Sequence, residues 1–380
     1  MLEFASTPWH VFSTTLILLS GGWLALIQRR VFYIDHRRSL ILYAWHTIFS
    51  IYYFHYSTTN VADARSYYIN SLHSGIEFSL GTRAVISFTS FFSQGLNLSY
   101  GGVFLVFNII GFVGMLAFAS ALQQVMVGTS KLSRQIAFCL ILLPGLSFWS
   151  SAIGKDAITF MGAGMAAWAA IDFTRRYPAI IIAVVAFVVA RPHMAGLLLI
   201  SLAMAFLFLS RLSALKKILL SAVMVPAAIW GSSLGLAYVG LDDASSVSDL
   251  TAYLEKRQGS NLEGGSSVDI SSMSVPMRMA TYIFRPLLYD ATGLMALIVS
   301  IENLALFFVF ALAIGLKING ARSRLDRFTF IFYLSFSSVS WFVLASTTAN
   351  LGIAIRQKWM FLPMLLLLAM SYHRLRSRHR

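Results

Sequence analysis

Residues 100–122, YGGVFLVFNIIGFVGMLAFASAL, contain no charged side chain. A helix rises 1.5 Å per residue, so these 23 residues reach about 35 Å, enough to cross a hydrocarbon core of about 30 Å. Comparable runs lie near 11–28, 39–57, 135–151, 157–173, 178–190, 194–210, 218–238, 291–316, 328–348 and 359–373, each end placed to about 2–4 residues. The chain is 58% hydrophobic and 12% charged, against roughly 25% charged in soluble domains. These features predict an all-α polytopic membrane protein of about eleven transmembrane helices, forming a single integral membrane domain over residues 1–380.

The net charge of +14 does not point to nucleic acid, because the basic residues sit in short clusters between apolar runs. Alternate segments hold Arg29, Arg30, Arg37 and Arg38; Lys131 and Arg134; Arg175 and Arg176; Arg211, Lys216 and Lys217; Lys317, Arg322, Arg324 and Arg327; and Arg374, Arg376, Arg378 and Arg380. That is 19 of the 29 Lys and Arg residues, with only Asp35, Asp172 and Asp326 as acids. Cytoplasmic loops carry such an excess, so the pattern predicts an N-terminus outside and a cytoplasmic C-terminus in a bacterial inner membrane. The first run follows MLEFASTPWH, which lacks a basic n-region, and ends at Arg29-Arg30, so it reads as a retained helix. Cys139 is the sole cysteine, which excludes an internal disulfide and a thiolate metal cluster.

Two predicted outer segments are long, about 58–99 and 239–290. The first holds TTNVADARSYYINSLHSG and then an amphipathic stretch, Ala84 to Leu98, suited to the membrane interface. The second contains GSNLEGGSSVDISS, whose composition predicts a mobile loop, and then MRMATYIFRPLLYD. The runs ending at Ser151 and Ala190 are short, and each leads directly into charge: Lys155-Asp156, and Arg191-Pro192-His193. Charge at membrane depth is costly unless it is paired or lines an aqueous cavity.

The predicted topology gathers Asp63, Arg65, Tyr67, Tyr68, Lys155, Asp156, Arg191, His193, Arg285 and Arg356 on one side. Cations beside carboxylates at that depth suit an amphiphile with a phosphate or diphosphate head. Asp63 and Asp156 are the candidate bases, able to take a proton from an acceptor hydroxyl. Lys155, Arg191, His193, Arg285 and Arg356 are the candidate phosphate contacts, stabilising a departing phosphate. Each has a plainer reading. Asp63 can cap a helix or pair with Arg65, Asp156 and Asp290 can cap the helices after them, and Arg191 needs an anionic partner in any case. Lys358 reads as a cation snorkelling to the interface. Glu302 lies mid-helix, where an acid is either functional or satisfied by neighbours such as Asn303. No HExxH, GxSxG, Walker or CxxC motif occurs, and no metal or cofactor is indicated.

ADARSYY (62–68), PGLSFWSSAIGKDAI (144–158), ARPH (190–193) and IAIRQKWMFLP (353–363) together resemble the GT-C superfamily of membrane glycosyltransferases and the bacterial polysaccharide polymerases related to it. The resemblance implies a GT-C-like fold and transfer of a sugar or glycan from a polyprenyl-linked donor, on the outer face, to a glycan or lipid-linked acceptor in surface-polysaccharide assembly. Asp63 then matches the acid that activates the acceptor; Lys155, Arg191, His193 and Arg356 match donor-phosphate contacts by location. Asp63 is not followed by a second acid, as is common in that family, which leaves metal use open. A polymerase or ligase without a carboxylate base, and a flippase or transporter using Glu302, are the competing readings.

Overall fold

The computed structural model describes residues 2–208 except 76 and 78, residues 226 and 268, and residues 273–372. Apart from residues 226 and 268, the apolar run 218–238 and the GSNLEGGSSVDISS stretch lie outside the described residues, as do the cluster at Arg211, Lys216 and Lys217 and the basic tail. Regular structure among the described residues is helical, apart from isolated bridge residues such as the pair Ser323 and Tyr372. The chain divides into two compact units, 1–124 with 138–192 and 125–137 with 193–380.

The first unit contains α1 (Pro8–Ile27), α2 (His36–Thr59), α3 (Asp63–Ser71), α4 (Thr82–Ser90) and α5 (Tyr100–Val125). The division falls within α6 (Lys131–Ile141), and the unit resumes through α7 (Pro144–Ser150), α8 (Lys155–Ile171) and α9 (Phe173–Ala190). Helix α2 has inverted amphipathy: Ser39, His46, Ser50 and Ser57 are buried, whereas Leu40, Ile41, Ile48 and Ile51 are 41–58% exposed. A water-soluble helix shows the opposite arrangement. Helices α5 and α8 meet at Gly114 and Gly164, where a Cβ on Gly164 would stand 2.2 Å from the Gly114 carbonyl oxygen. Small residues allow such close backbone approach in membranes. The segment expected as a long loop over 58–99 is largely helical. Its amphipathic part is α4 followed by a π-helical turn, Phe91–Gly95, with Ala84, Val85, Thr89 and Ser90 buried and Phe91 exposed.

The second unit contains α10 (Pro192–Leu207), α11 (Val275–Phe284), α12 (Leu294–Ile318), α13 (Arg327–Thr347), α14 (Leu351–Gln357) and α15 (Leu362–Met370). On α12, Leu294, Ile301, Phe308 and Leu312 are 56–68% exposed, while Ser300, Glu302 and Asn303 are buried. Apolar side chains turned outward and polar ones turned inward are what a lipid solvent selects.

Six helices among the described residues are long and apolar enough to cross a membrane: residues 8–32, 100–125, 131–150, 173–190, 294–318 and 327–347. Residues 351–370, bent by 63° at Phe361, make up to seven. The protein is therefore an all-helical, multi-pass membrane protein. The difference from the expected eleven has physical causes besides the undescribed run. Helices α8 and α10 have 17 and 16 residues, and α2 carries a polar stripe.

Candidate functional site

Asp63, Arg65, Tyr67, Tyr68, Lys155, Asp156 and Arg191 belong to the first unit; His193, Arg285, Glu302 and Arg356 belong to the second.

In the first unit, α3 opens at Asp63, which is exposed, as is Arg65. Tyr67, one turn after Asp63, is buried, as is Tyr68. Both enter a core with Tyr53, Tyr100, Phe104, Ile153, Ala157 and Ala190. The Tyr68 hydroxyl donates to the Leu98 carbonyl at 3.2 Å, and its ring lies 4.9 Å from that of Tyr100. Burial pushes the Tyr68 phenol above the ordinary tyrosine range, so it remains a protonated donor at neutral pH. The Tyr67 ring lies 3.5 Å from where a Cβ on Gly154 would stand. Gly154 directly precedes Lys155 and Asp156, the first residues of α8, where a carboxylate complements the helix dipole.

Arg191 arrives at the same place by a different rule. The residue before a proline avoids the helical region, so α9 stops at Ala190 and α10 begins at Pro192. Arg191 takes the extended conformation between them, φ −149°, and is 7% exposed. Its Nη2 donates to Asp156 Oδ1 at 2.8 Å; its Nε is buried without an acceptor among the described residues. Gly81, in the left-handed region at φ 68°, donates its N–H to the Val189 carbonyl at 2.7 Å and so ties the start of α4 to this corner. Five sequence segments thus meet around Tyr67: α3, the start of α4, the Gly154–Asp156 turn, the end of α9 and α5.

In the second unit Arg285, Asp290 and Lys358 are bound to partners that the sequence did not suggest. Arg285 grips Asp290 with Nε to Oδ2 at 3.0 Å and Nη2 to Oδ1 at 2.5 Å. The Leu287 N–H also donates to Asp290, at 2.8 Å. Asp290 therefore closes the 285–290 turn and does not cap α12, whose N-cap is Gly293. Arg285 holds the Asp290 carboxyl below the usual aspartate range. Lys358 does not snorkel: it is fully buried, in a 3-10 turn at the break between α14 and α15. Its ammonium donates to Asn303 Oδ1 at 2.5 Å and to the Ile283 carbonyl at 3.4 Å, with Glu302 in electrostatic reach. Asn303 in turn donates to the Pro286 carbonyl at 3.0 Å, and Ser300 to that of Leu287 at 3.0 Å. The available signal in the sequence was Glu302 itself, since a buried acid demands a cation. Lys358, the cation in electrostatic reach of it, lies 56 residues away in the chain.

Among the described residues no three His, Cys, Asp or Glu side chains are grouped closely enough to hold a metal ion. Compared with known protein families, curated proteins and solved structures, the chain matches none.

Proposed function

We propose that the protein is a GT-C-like membrane glycosyltransferase of the bacterial inner membrane. It transfers a sugar or glycan from a polyprenyl-phosphate or -diphosphate donor to a glycan or lipid-linked acceptor on the non-cytoplasmic face. The observation that carries this reading is the convergence at Tyr67: an exposed carboxylate, Asp63, opens the helix whose next turn packs on the residue before Lys155-Asp156, and Asp156 holds the buried Arg191. A base and two cations near one apolar platform are the minimum for this chemistry.

In the proposed reaction Asp63 accepts the proton of the acceptor hydroxyl. The oxygen forms a bond to the anomeric carbon, and the bond from that carbon to the phosphate oxygen breaks. The phosphate leaves with the electron pair, its charge met by Lys155 and Arg191. Asp156 is a positioning residue in this scheme, fixing the guanidinium plane. The outward placement of this corner rests on the distribution of Lys and Arg. Reporter fusions after Arg134 and after Gly259 are expected to report opposite sides.

The test is transfer of a labelled sugar from polyprenyl-linked donors by the purified protein in lipid. Transfer that survives intact in Asp63→Asn favours a polymerase or ligase without a carboxylate base. Movement of the lipid-linked sugar across the bilayer without transfer overturns the enzyme reading in favour of a flippase.

A further inference from the structure

The inward polar stripe of α2 contains a residue for which packing provides no partner. His46 is 0% exposed, and neither Nδ1 nor Nε2 has a hydrogen-bond partner among the described residues. A neutral imidazole always carries one donor and one acceptor, so two groups stand unsatisfied whichever tautomer forms. Two more unsatisfied polar atoms come from helices that meet α2 there. Asn108 on α5 is 0% exposed; its Nδ2 donates to Thr47 at 2.9 Å, while Oδ1 has no partner. Ser147 on α7 is 0% exposed with its Oγ unpartnered.

These atoms belong to one crossing. Gly111 lies one turn after Asn108, and a Cβ there would stand 1.9 Å from the Ser150 carbonyl oxygen and 2.8 Å from His46 Nε2. The glycine thus brings α5 against both the imidazole and the end of α7. Ser50, one turn after His46, donates to the Ser151 carbonyl at 3.2 Å and closes the same corner.

The chemistry of the set defines what it binds. It offers an amide oxygen, a hydroxyl and the imidazole's donor and acceptor, so the ligand must both donate and accept. Residues 39–59, 100–125 and 144–154 contain no Asp, Glu, Lys or Arg, so no fixed counter-charge from these helices faces an ion, and a buried unpaired ion is strongly disfavoured. A small uncharged molecule making about three hydrogen bonds fits, and buried water does this in protein interiors. We propose that His46, Asn108 and Ser147 form an internal water-binding site at the crossing of α2, α5 and α7. This site is independent of the proposed transferase activity. It explains how a histidine is retained inside a membrane helix without a carboxylate or a metal.

The measurement is water-to-nitrogen magnetisation transfer in solid-state NMR of the full chain, with 15N-labelled histidine rings, in lipid bilayers. His46 is assigned by its loss in His46→Asn or, if that variant does not fold, by sequential backbone assignment. Transfer from water to the His46 ring is expected, and it should fall at least severalfold in Ser147→Ala or Asn108→Val. A dry His46 ring overturns the proposal. So does transfer unchanged in both variants, because the three side chains then share no site.

Discussion

The Arg191 corner of the first unit and the Lys358 corner of the second both bury a cation, yet they treat their acids differently. At Lys358 the polar groups turn inward: the ammonium donates to Asn303 and the Ile283 carbonyl, Asn303 donates to the Pro286 carbonyl, Glu302 is buried within electrostatic reach, and Arg285 is held by both oxygens of Asp290. At Arg191 one acid, Asp156, is spent on the cation, while a second, Asp63, stays exposed on a helix whose buried face is tyrosine. A buried network of charge is sensitive to the loss of any one member. An exposed carboxylate, on a helix whose Tyr67 packs at the Gly154 turn, is accessible to a substrate. Buried ion pairs also contribute little net stability, although breaking one by removing a single partner is costly. The second unit should therefore respond to mutation in stability, and the first in activity.

The largest effect is expected at Asp63. Asp63→Asn keeps the shape of the side chain but cannot take a proton, and general-base catalysis contributes roughly 10²- to 10⁴-fold. Sugar transfer should fall by that factor while the thermal midpoint in detergent stays within a degree or two of wild type. A large drop in midpoint with proportionate loss of activity would make Asp63 a structural residue like those of the second unit.

Lys358→Met comes next and reads on stability. Leaving Glu302 buried without its cation should cost about 3–5 kcal/mol, measured by denaturation in micelles. The double variant Lys358→Met with Glu302→Gln should recover most of that loss and retain transfer activity. A double variant that folds but cannot work would mean the second unit is not merely self-satisfied, and the contrast between the two corners would fail.

Arg191→Lys should weaken donor binding by about ten- to a hundredfold, since one charge-assisted contact is worth roughly 1.5–3 kcal/mol and an ammonium lacks the planar fork. Donor dependence of turnover, followed beside the melting temperature, separates the alternatives. Unchanged donor dependence with a lowered midpoint reduces Arg191 to a counter-ion for Asp156.

The smallest effect concerns pH. Arg285 depresses the folded-state value of Asp290 below its ordinary 3.8. A depressed acid contributes stability that is present above the unfolded value and is lost as pH falls through the folded one. Stability should thus decline below about pH 4, and Asp290→Asn should flatten that part of the profile. An unchanged slope in the variant would assign the acid sensitivity to other carboxylates.

Much of the secondary structure was legible because a lipid solvent demands long apolar helices. The run at 100–122 falls within α5, and those at 11–28 and 291–316 match α1 and α12 to within three residues at each end. The helix break at Arg191-Pro192 was likewise local, set by proline sterics. Membership of the candidate site was legible only as a collection of residue types near turns. The reading of Lys358 as snorkelling failed because adjacency to the end of an apolar run says nothing about a bend at Phe361 that carries the side chain inward.

The sequence by itself determined that this is a helical membrane protein and where several of its helices lie, since hydrophobicity and proline act over a few residues. It also limited the ionisable groups to a small set, because the bilayer excludes charge. Only the tertiary structure decided which of them are partners. Asp156 reaches Arg191 across 35 residues and Lys358 reaches Asn303 across 55, and Asp63 is left exposed beside a buried Tyr67. Electrostatic pairing and burial depend on distances in space, which three helices can close at any separation along the chain.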